Sequence, residues 1–507
     1  MTTDFEELID RAAERTGGSV IWANDEFFAE KENLLKPQPA IFVEGKYTDR
    51  GKWMDGWETR RRRVPGHDHC IVRLGLPGIV RGVVIDTAFF KGNYPEHASI
   101  EACSASGHAS PEELESDRTA WREILPKSKL QGDSKNRFAI DPGGAGVRAT
   151  HLRFHIYPDG GVARLRVHGD VVPDPRWMGK PGSDVDLAAA EHGGLVLACN
   201  DMFFGSRHNL IMPGRGVNMG DGWETKRSRR EGPDWVLVRL AAEGALEHVE
   251  VDTRHFKGNY PESCSLHGTR DASADPAIDD AAWEEVLPRT KLLPDTRHLF
   301  ARELVARGPF TRMRLRIYPD GGVSRLRVVG AVTPRAREAE RLRHLASLSD
   351  AALHDAFLAC CGSTRWAAAM TAARPCGSAG ELHAAAAKAF QGLVRDDWLE
   401  AFRAHPRIGG KHAEAKTPDA AKAWSSAEQA KVAETSQATL DALADANRAY
   451  EAKFGHIYIV CATGKSADEM LAIANARLGN DAATELARAA GEQEQITRLR
   501  LEKLVAG

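Results

Sequence analysis

The feature that most constrains the fold of this chain is a long internal repeat. The stretch "DTAFFKGNYPE" at residues 86–96 returns almost unchanged as "DTRHFKGNYPE" at residues 252–262. Other stretches recur in the same order, among them "DGWETRRRR" as "DGWETKRSR" and "IYPDGGVARLRV" as "IYPDGGVSRLRV". The spacing between partners shortens along the chain, as small loop insertions in two copies of one domain would produce. We therefore predict two tandem domains, residues 1–172 and 173–335.

Within each copy the pattern is mostly that of β-strands. "VARLRVHG" alternates apolar residues with arginines, and the preceding "IYPDGGV" carries the proline, aspartate and glycines of a turn. "WVLVRL" and "HVEVDT" are further candidate strands, whereas "PEELESDRTAWREIL" is predicted to be helical. The best-fitting fold is a β-sandwich of jelly-roll type in each copy.

The composition changes abruptly after Pro334, to alanine, leucine and charged residues. Residues 336–345 are predicted to be a charged linker, and residues 346–507 an all-α domain, because apolar residues then recur at helical spacing. One such run includes Leu440, Leu443 and Tyr450, and Gly455 follows it as a predicted C-cap.

Charge and cysteine content restrict the class of protein. The 507 residues include 68 lysines and arginines against 71 acids, a net charge of -3, which argues against nucleic-acid or membrane-surface binding. No apolar run is long enough for a membrane span, and the amino terminus is acidic where a signal peptide would be basic. These features predict a cytoplasmic protein. The eight cysteines lack zinc-type spacing, so we expect neither disulfides nor structural zinc.

Two repeated loops carry the candidate site residues of the tandem domains. Arginine suits bidentate binding of a small carboxylate, whereas a nucleic-acid patch at the Arg60 run would need interleaved aromatic residues. Functional and structural interpretations both remain open for these loops. The candidate catalytic acids are Glu58 and Glu224. The candidate substrate-binding residues are Arg60, Arg61, Lys91, Asn93, Lys257, Asn259, Tyr260 and Glu262.

The two copies differ inside the repeated loop. The second copy has Arg254 and His255 where the first has Ala88 and Phe89. His255 is therefore a candidate proton carrier, and the alternative is a structural histidine.

The combination "DGWETRR", "FKGNYPE" and "IYPDGG", which returns in the second copy with "DGWETKR", resembles allantoicase over residues 1–335. The resemblance implies two jelly-roll, galactose-binding-like domains per subunit, assembly into oligomers, and hydrolysis of allantoate to ureidoglycolate and urea. Such a substrate needs a cationic clamp for its carboxylate, amide and hydroxyl partners for its ureido groups, and an acid or base to activate water. The residue types of the two loops agree with these needs.

The helical tail contains three stretches with candidate chemistry. His405 follows an amphipathic helix that Pro406 ends, and the negative end of a helix favours the imidazolium form. Ser425 and Glu428 fit a helix capping box, as do Ser466 and Glu469, of which only the second pair is interpreted as purely structural. The stretch "FGHIYIVCATGK" either lines a pocket with backbone groups or crosses the core.

The motifs "AHPRIGG", "SSAEQ", "FGHIYIVCATGK", "ARLGND" and "ITRLRLEKL" resemble OHCU decarboxylase, which forms (S)-allantoin from 2-oxo-4-hydroxy-4-carboxy-5-ureidoimidazoline. The resemblance implies catalysis without a cofactor, with His405 and Glu428 as catalytic residues. It implies that the remaining matched positions contact the substrate, namely Pro406, Ser425, Gln429, Ile459, Cys461, Ala462 and Arg500. Loss of CO₂ needs donors that stabilise an anion and one acid that returns a proton.

The sequence thus predicts a bifunctional enzyme of purine degradation that acts on two small ureides, and a separate allantoinase would have to connect the two reactions. The alternative is that the duplicated sandwiches form a non-catalytic ligand-binding module, because fold alone does not establish function. A metal-dependent hydrolase is a third possibility, since His255 with nearby acids permits it, and the metal requirement of the hydrolase is unknown from the sequence.

Overall fold

A computed structural model describes residues 4–105, 108–141, 146–229, 231–274, 282–374, 376–405, 407 and 437–506. The chain divides into two compact units, residues 1–340 and 341–507. Among the described residues, no helix is long and apolar enough to span a membrane.

The first repeat is built mainly of strands. Its strands are β1 (Ser19–Ala23), β2 (Tyr47–Thr48), β3 (Gly51–Lys52), β4 (Trp57–Glu58), β5 (Asp68–Asp86), β6 (His97–Cys103), β7 (Arg122–Lys129), β8 (Lys135–Ala139), β9 (Ala149–Tyr157), β10 (Gly161–Val162) and β11 (Arg164–Val171), with one α-helix, α1 (Pro111–Glu115). The main sheet has the order β1-β5-β9-β6-β7, and β11 and β8 also pair with β5.

The second repeat follows the same plan. Its strands are β12 (Asp184–Asp186), β13 (Leu195–Cys199), β14 (Trp223–Glu224), β15 (Asp234–Asp252), β16 (Ser263–Thr269), β17 (Glu284–Lys291), β18 (Arg297–Phe300), β19 (Phe310–Tyr318), β20 (Gly322–Val323) and β21 (Arg325–Val332). The main order is β12-β21-β15-β19-β16-β17. The short 3₁₀ helices of the two repeats are Phe5–Glu7, Glu14–Thr16, Lys31–Leu35, Pro175–Met178, Ala190–His192, Arg207–Ile211 and Met219–Asp221.

The long central strand organises each repeat. The first part of β5 pairs with β9, and its second part pairs with β11 and β8. In the second repeat β15 pairs in the same way with β19, then with β21 and β18. The sequence suggested two short strands within residues 235–253, but these form the single 19-residue strand β15. Partner strands along its whole length keep its backbone groups hydrogen-bonded.

A second difference concerns the predicted helix "PEELESDRTAWREIL". Only α1 is helical, capped by Ser110 and Glu113 in a capping box, and the chain from Arg122 onward forms strand β7. Leu125 pairs with Ile100 of β6 and is buried in the core. The prediction of one continuous helix was wrong because pairing with a neighbouring strand overrides helix propensity.

Two tryptophans of the repeated "DGWET" stretch anchor the cores. The side chains of Trp57 and Trp223 are fully buried. Each indole N–H donates a 2.8 Å hydrogen bond to a backbone carbonyl, of Asp25 and Asp201 respectively. A buried indole needs such a partner, so each tryptophan fixes the strand β4 or β14 that carries the neighbouring glutamate.

The second unit is helical. Its described residues form the helices α3 (Asp350–Cys361), α4 (Thr364–Ala372), α5 (Ala379–Gln391), α6 (Arg395–Arg403), α7 (Gln437–Phe454), α8 (Ala467–Arg477) and α9 (Ala482–Ala506), and α2 (Pro334–Ser347) begins in the first unit and ends in the second. The predicted linker at 336–345 lies within α2. Gly455 has φ of +74° and donates to the carbonyl of Glu451, so the predicted C-cap is present. Ser466 and Glu469 form both hydrogen bonds of the predicted capping box. All eight cysteines are free thiols.

Candidate active sites

Three repeated loops meet at a cleft of about 720 Å³ in the second repeat. They are the segment after Trp223, the loop around Gly258 and the turn at Gly321. Side chains of both charges and an aromatic hydroxyl line the cleft, among them Glu224, Arg227, Asn259, Tyr260, Glu262, Lys291 and Asp320. The cleft therefore offers cations, an amide and carboxylates to one small polar ligand.

A glutamate and an asparagine join two of these loops in both repeats. The Asn93 side-chain amide donates to Glu58 Oε1 at 2.7 Å. The equivalent bond joins the Asn259 amide to Glu224 Oε1. The same pair is thus present in both copies, although the surrounding sequences have diverged. In each copy the fold brings together two predicted site residues that are 35 positions apart in the chain.

The turn of "IYPDGG" fixes the position of each asparagine. Gly161 N–H donates to the Asn93 carbonyl at 2.7 Å, and Gly322 N–H to the Asn259 carbonyl at 2.8 Å. Gly321 has φ of +134°, and a Cβ there would lie 2.7 Å from the Asn259 carbonyl oxygen. Glycine is required at this place because both the backbone conformation and the close approach exclude a side chain. The turn predicted to be scaffold is therefore a support of the site.

Burial changes the acidity of the glutamate in the first repeat. Removal of the Glu58 carboxyl group from water raises its pKa, and the hydrogen bond from Asn93 partly opposes this effect. A carboxyl group with a raised pKa holds a proton more readily near neutral pH, which suits proton transfer.

The basic residues that follow the two "DGWET" stretches differ in whether they form an ion pair or line the cleft. Arg60 and Lys226 form ion pairs with Asp25 and Asp201, so their charges are already partly neutralised. Arg227 is exposed and lines the cleft, and its counterpart Arg61 is also exposed.

The lysines of the repeated loop lie at the surface. Lys91 is exposed, with its Nζ 3.9 Å from an Asp133 carboxylate oxygen, and Lys257 is also exposed. Lys257 is not among the residues that line the cleft, whereas Lys291 of strand β17 is, although the sequence did not single it out. A periodicity argument could not identify Lys291, because it reaches the cleft only through the pairing of β16 with β17.

His255 lies outside the cleft lining. Its Nε2 is 2.9 Å from the Gly216 carbonyl oxygen, and its backbone N–H donates to the Asp295 side chain. Its φ is +72°, and Phe89 of the first repeat has φ of +69° with the equivalent bond to Asp133. The two repeats thus share the backbone conformation at this position but differ in the ring contacts, since Phe89 stacks on Phe42 whereas His255 faces the Gly216 carbonyl.

In the helical unit His405 follows α6 and lies near Gln493 and Arg500 of α9. The side chain is half-buried, and its Nε2 is shielded from solvent. Burial, and to a smaller degree the positive charge of Arg500, lower the pKa of His405 to about 3, although the hydrogen bond with Gln493 opposes the change. The prediction that the helix end favours imidazolium is therefore wrong for this state, because burial and a nearby cation outweigh the helix dipole.

Gln493 and Thr497 extend this cluster. Both side chains are fully buried, and Gln493 Nε2 donates to the Cys361 carbonyl and to Thr497 Oγ1, each at 3.2 Å. With Arg500 they lie at positions i, i+4 and i+7 of one helix, which places them on one face. Three polar residues at this spacing, on a helix face expected to be apolar, are the sequence pattern from which this cluster could have been predicted.

The backbone of the "IYIVCA" stretch already has protein partners. The Ile459 carbonyl accepts from Arg477 at 2.7 Å, and the Cys461 N–H donates to Glu492 at 2.8 Å. The Ala462 carbonyl accepts from the Lys465 N–H at 3.0 Å. The predicted substrate-binding or catalytic residues Pro406, Ser425, Glu428 and Gln429 lie outside the described residues.

Comparison with known proteins identifies the family of each part. Residues 9–172 and 185–333 match the family model of the allantoicase repeat. The chain belongs to the allantoicase family. Residues 346–502 match the OHCU decarboxylase family. A second domain with a different activity is therefore joined to the allantoicase repeats.

Individual proteins are similar to one part of this chain or the other. A probable allantoicase from Pseudomonas syringae pv. syringae (strain B728a) is 49% identical over 334 residues, which is 65% of this chain and 97% of that protein. The solved allantoicase of Saccharomyces cerevisiae is 36% identical and covers 64% of this chain and 93% of its own, with a TM-score of 0.55. A solved OHCU decarboxylase is 36% identical over 30% of this chain and 99% of its own, with a TM-score of 0.27.

The predicted combination of functions is confirmed. The chain is a bifunctional enzyme of purine degradation, with a hydrolase activity from its allantoicase repeats and a lyase activity from its OHCU decarboxylase domain. The alternative of a non-catalytic binding module is not favoured, because close relatives over the whole of the duplicated part are named as allantoicases.

Proposed function

We propose that hydrolysis of allantoate to ureidoglycolate and urea takes place at the glutamate–asparagine pair of the sheet-rich unit. The observation that carries this assignment is the repeated hydrogen bond, Asn93 to Glu58 and Asn259 to Glu224, at the meeting point of the repeated loops. A carboxylate held by an amide at the wall of a polar cleft is well placed to activate a water molecule.

In this proposal Glu224 accepts a proton from water, and the hydroxyl group attaches to the substrate carbon that carries the two ureido groups. The bond from that carbon to one ureido nitrogen breaks, and the leaving urea receives the proton. Asn259 orients the glutamate, whereas Arg227 and Lys291 offer positive charge to the substrate carboxylate. Tyr260 and Glu262 line the same cleft and are assigned to the ureido groups.

His255 is assigned a positioning role instead of the predicted proton-carrying role. Its Nε2 already faces the Gly216 carbonyl oxygen at 2.9 Å, and its ring is outside the cleft lining. In the first repeat, Glu58 with Asn93, Arg61 and Lys129 provides the equivalent set of groups.

Single variants test which pair performs hydrolysis. Glu224→Gln and Glu58→Gln keep the size of the side chain but remove the proton acceptor. Loss of a general base lowers the rate by about 10²–10⁴-fold. We expect such a loss of urea release from allantoate in Glu224→Gln, with decarboxylation by the same protein unchanged as the control for folding. Full hydrolysis in a Glu58→Gln/Glu224→Gln double variant would refute the assignment.

For the decarboxylase unit we propose that Arg500 attracts the substrate carboxylate and that His405 returns the proton. An anion beside Arg500 offsets the positive charge that lowers the pKa of His405, so substrate binding itself raises that pKa. The bond to the carboxylate breaks, CO₂ leaves, the electron pair stays on the ring, and His405 supplies one proton to a single face. Gln493 is proposed to orient His405, while Glu428, Gln429, Ser425 and Pro406 keep the roles that the family resemblance implies.

Several finer predictions belong to the same proposal. Each repeat is proposed to be a jelly-roll sandwich, since the long strands β5 and β15 pair with different strands in their two halves. Decarboxylation is proposed to need no cofactor, and the enzyme to be cytoplasmic and oligomeric. A separate allantoinase is needed because the product of one unit must be ring-opened before it becomes the substrate of the other.

A further inference from the structure

Three histidines of the first repeat converge on one face of the main sheet. They are His67, His69 and His155, and one ring nitrogen from each lies within 4.8 Å of the others. His69 and His155 are direct cross-strand neighbours in the β5–β9 pair, and His67 comes from the segment that enters β5. His67 Nε2 and His155 Nδ1 are 2.9 Å apart. We propose that these three imidazoles form a binding site for a transition-metal ion of the zinc class.

The distances suit a tetrahedral ion. Bonds of about 2.0–2.1 Å from zinc to histidine nitrogen place two ligand nitrogens about 3.3 Å apart. His67 Nε2 and His155 Nδ1 are 2.9 Å apart and all three ligand nitrogens lie within 4.8 Å of one another, so side-chain rotation would bring them to this spacing. Imidazole nitrogen is a ligand that zinc, copper and nickel share, whereas magnesium and calcium prefer oxygen.

Two of the three imidazole rings have a carboxylate near their Nε2 atom. His155 Nε2 is 2.9 Å from Glu101, and His69 Nε2 is 3.2 Å from Glu115. Because a carboxylate accepts hydrogen bonds, each contact fixes the proton on Nε2 and leaves the Nδ1 lone pair for a metal. Hydrogen bonds from outer carboxylates to ligand histidines are the usual support of zinc sites.

One arginine holds both carboxylates in place. Arg153 Nη2 is 2.7 Å from the Glu101 carboxylate, and Arg153 Nη1 is 3.9 Å from Glu115. Its guanidinium also stacks over the ring of Trp121. His67 and His69 are half-buried, which leaves an entry path from solvent.

The second repeat lacks these ligands although it has the same sheet. In the equivalent cross-strand pair, Trp235 of β15 faces Arg316 of β19. The fold therefore does not need three histidines on this face, and the cluster is specific to the first repeat. The proposed site is also independent of the assigned Glu224–Asn259 centre.

Zinc binding to the full chain tests the proposal. After removal of bound metals by a chelator, titration of the wild-type protein with Zn²⁺ should show one equivalent of tight binding. His69→Ala and His155→Gln should each weaken this binding by at least about 100-fold. Glu101→Gln should weaken it by about 10–100-fold through the lost support of His155. His108→Ala, which removes an exposed histidine elsewhere in the same repeat, is the matched control.

Substitution with Co²⁺ gives a second readout, because four-coordinate cobalt has an intense visible absorption that should disappear in His69→Ala. Urea release and thermal unfolding of each variant show whether it is folded, and His155→Gln replaces His69→Ala if the latter is not. Equal Zn²⁺ affinity in wild type and both folded histidine variants would overturn the proposal. So would an equal loss of affinity in His108→Ala.

Discussion

Replacing Glu485 with alanine should strongly destabilise the helical unit. This carboxylate has no solvent-exposed surface and lies at the start of α9. It accepts hydrogen bonds from the Tyr450 hydroxyl, from Arg477 Nε at 2.8 Å and from Asn480 Nδ2 at 2.7 Å. Arg477 is itself only 5% exposed. Loss of the carboxylate would leave a buried guanidinium without its counter-charge.

The expected cost follows from that geometry. Breaking a buried ion pair by removing one partner costs about 3–5 kcal/mol, because the remaining charge stays buried. The double variant Arg477→Met/Glu485→Leu removes both charges, so it should be less destabilised than Glu485→Ala alone. Glu502→Ala is the matched control, since its ion pair with Arg498 is at the surface of the same helix and contributes at most about 1 kcal/mol.

Denaturant unfolding of the full chain, followed by circular dichroism of the helices and by residual decarboxylation, measures the effect. Hydrogen bonds from Arg477, Tyr450 and Asn480 outweigh burial and lower the pKa of Glu485 below its ordinary value of 4.5. The ionised carboxylate is thus favoured in the folded state, so its contribution to stability is complete above about pH 4.5 and declines as the pH falls through the folded-state pKa. Equal unfolding midpoints for Glu485→Ala and Glu502→Ala would refute the reasoning.

Two further predictions concern the active sites. His405→Ala should abolish formation of (S)-allantoin while urea release from allantoate stays intact, and parallel loss of both activities would indicate misfolding instead. Gly321→Ala should lower urea release by up to about 100-fold, because the added Cβ would lie 2.7 Å from the Asn259 carbonyl oxygen and would displace that backbone. An unchanged rate in Gly321→Ala would contradict the role given to that turn.

Local sequence signals predicted much of this molecule. The capping box at Ser466 and the C-cap at Gly455 could be predicted because each depends on residues close together in the chain, and the duplication because its two copies keep similar stretches in the same order. Glu58 and Asn93 were predicted as site residues because both lie in stretches that recur in the second copy, although repetition alone shows only the common descent of the copies. The strand at Leu125 was missed because its conformation is decided by Ile100 on a neighbouring strand.

The limits of sequence reasoning are clearest for the histidines. The expectation of no structural zinc rested on local ligand spacing, and His69 and His155 become neighbours only through the register of β5 and β9. The pKa of His405 is likewise lowered first by burial and then by Arg500, a residue of a helix nearly 100 positions away. Both properties depend on tertiary contacts that spacing rules do not include.

The hydrogen bond from Gly322 to the Asn259 carbonyl has a consequence for the order of folding. The cleft combines Glu224, Asn259 and the turn at Gly321, so its last component is synthesised nearly 100 residues after its first. Contacts of such long sequence separation form late, after the sheet has closed its loops. A nascent or truncated second repeat that ends before this turn therefore lacks the complete site that we propose around Glu224.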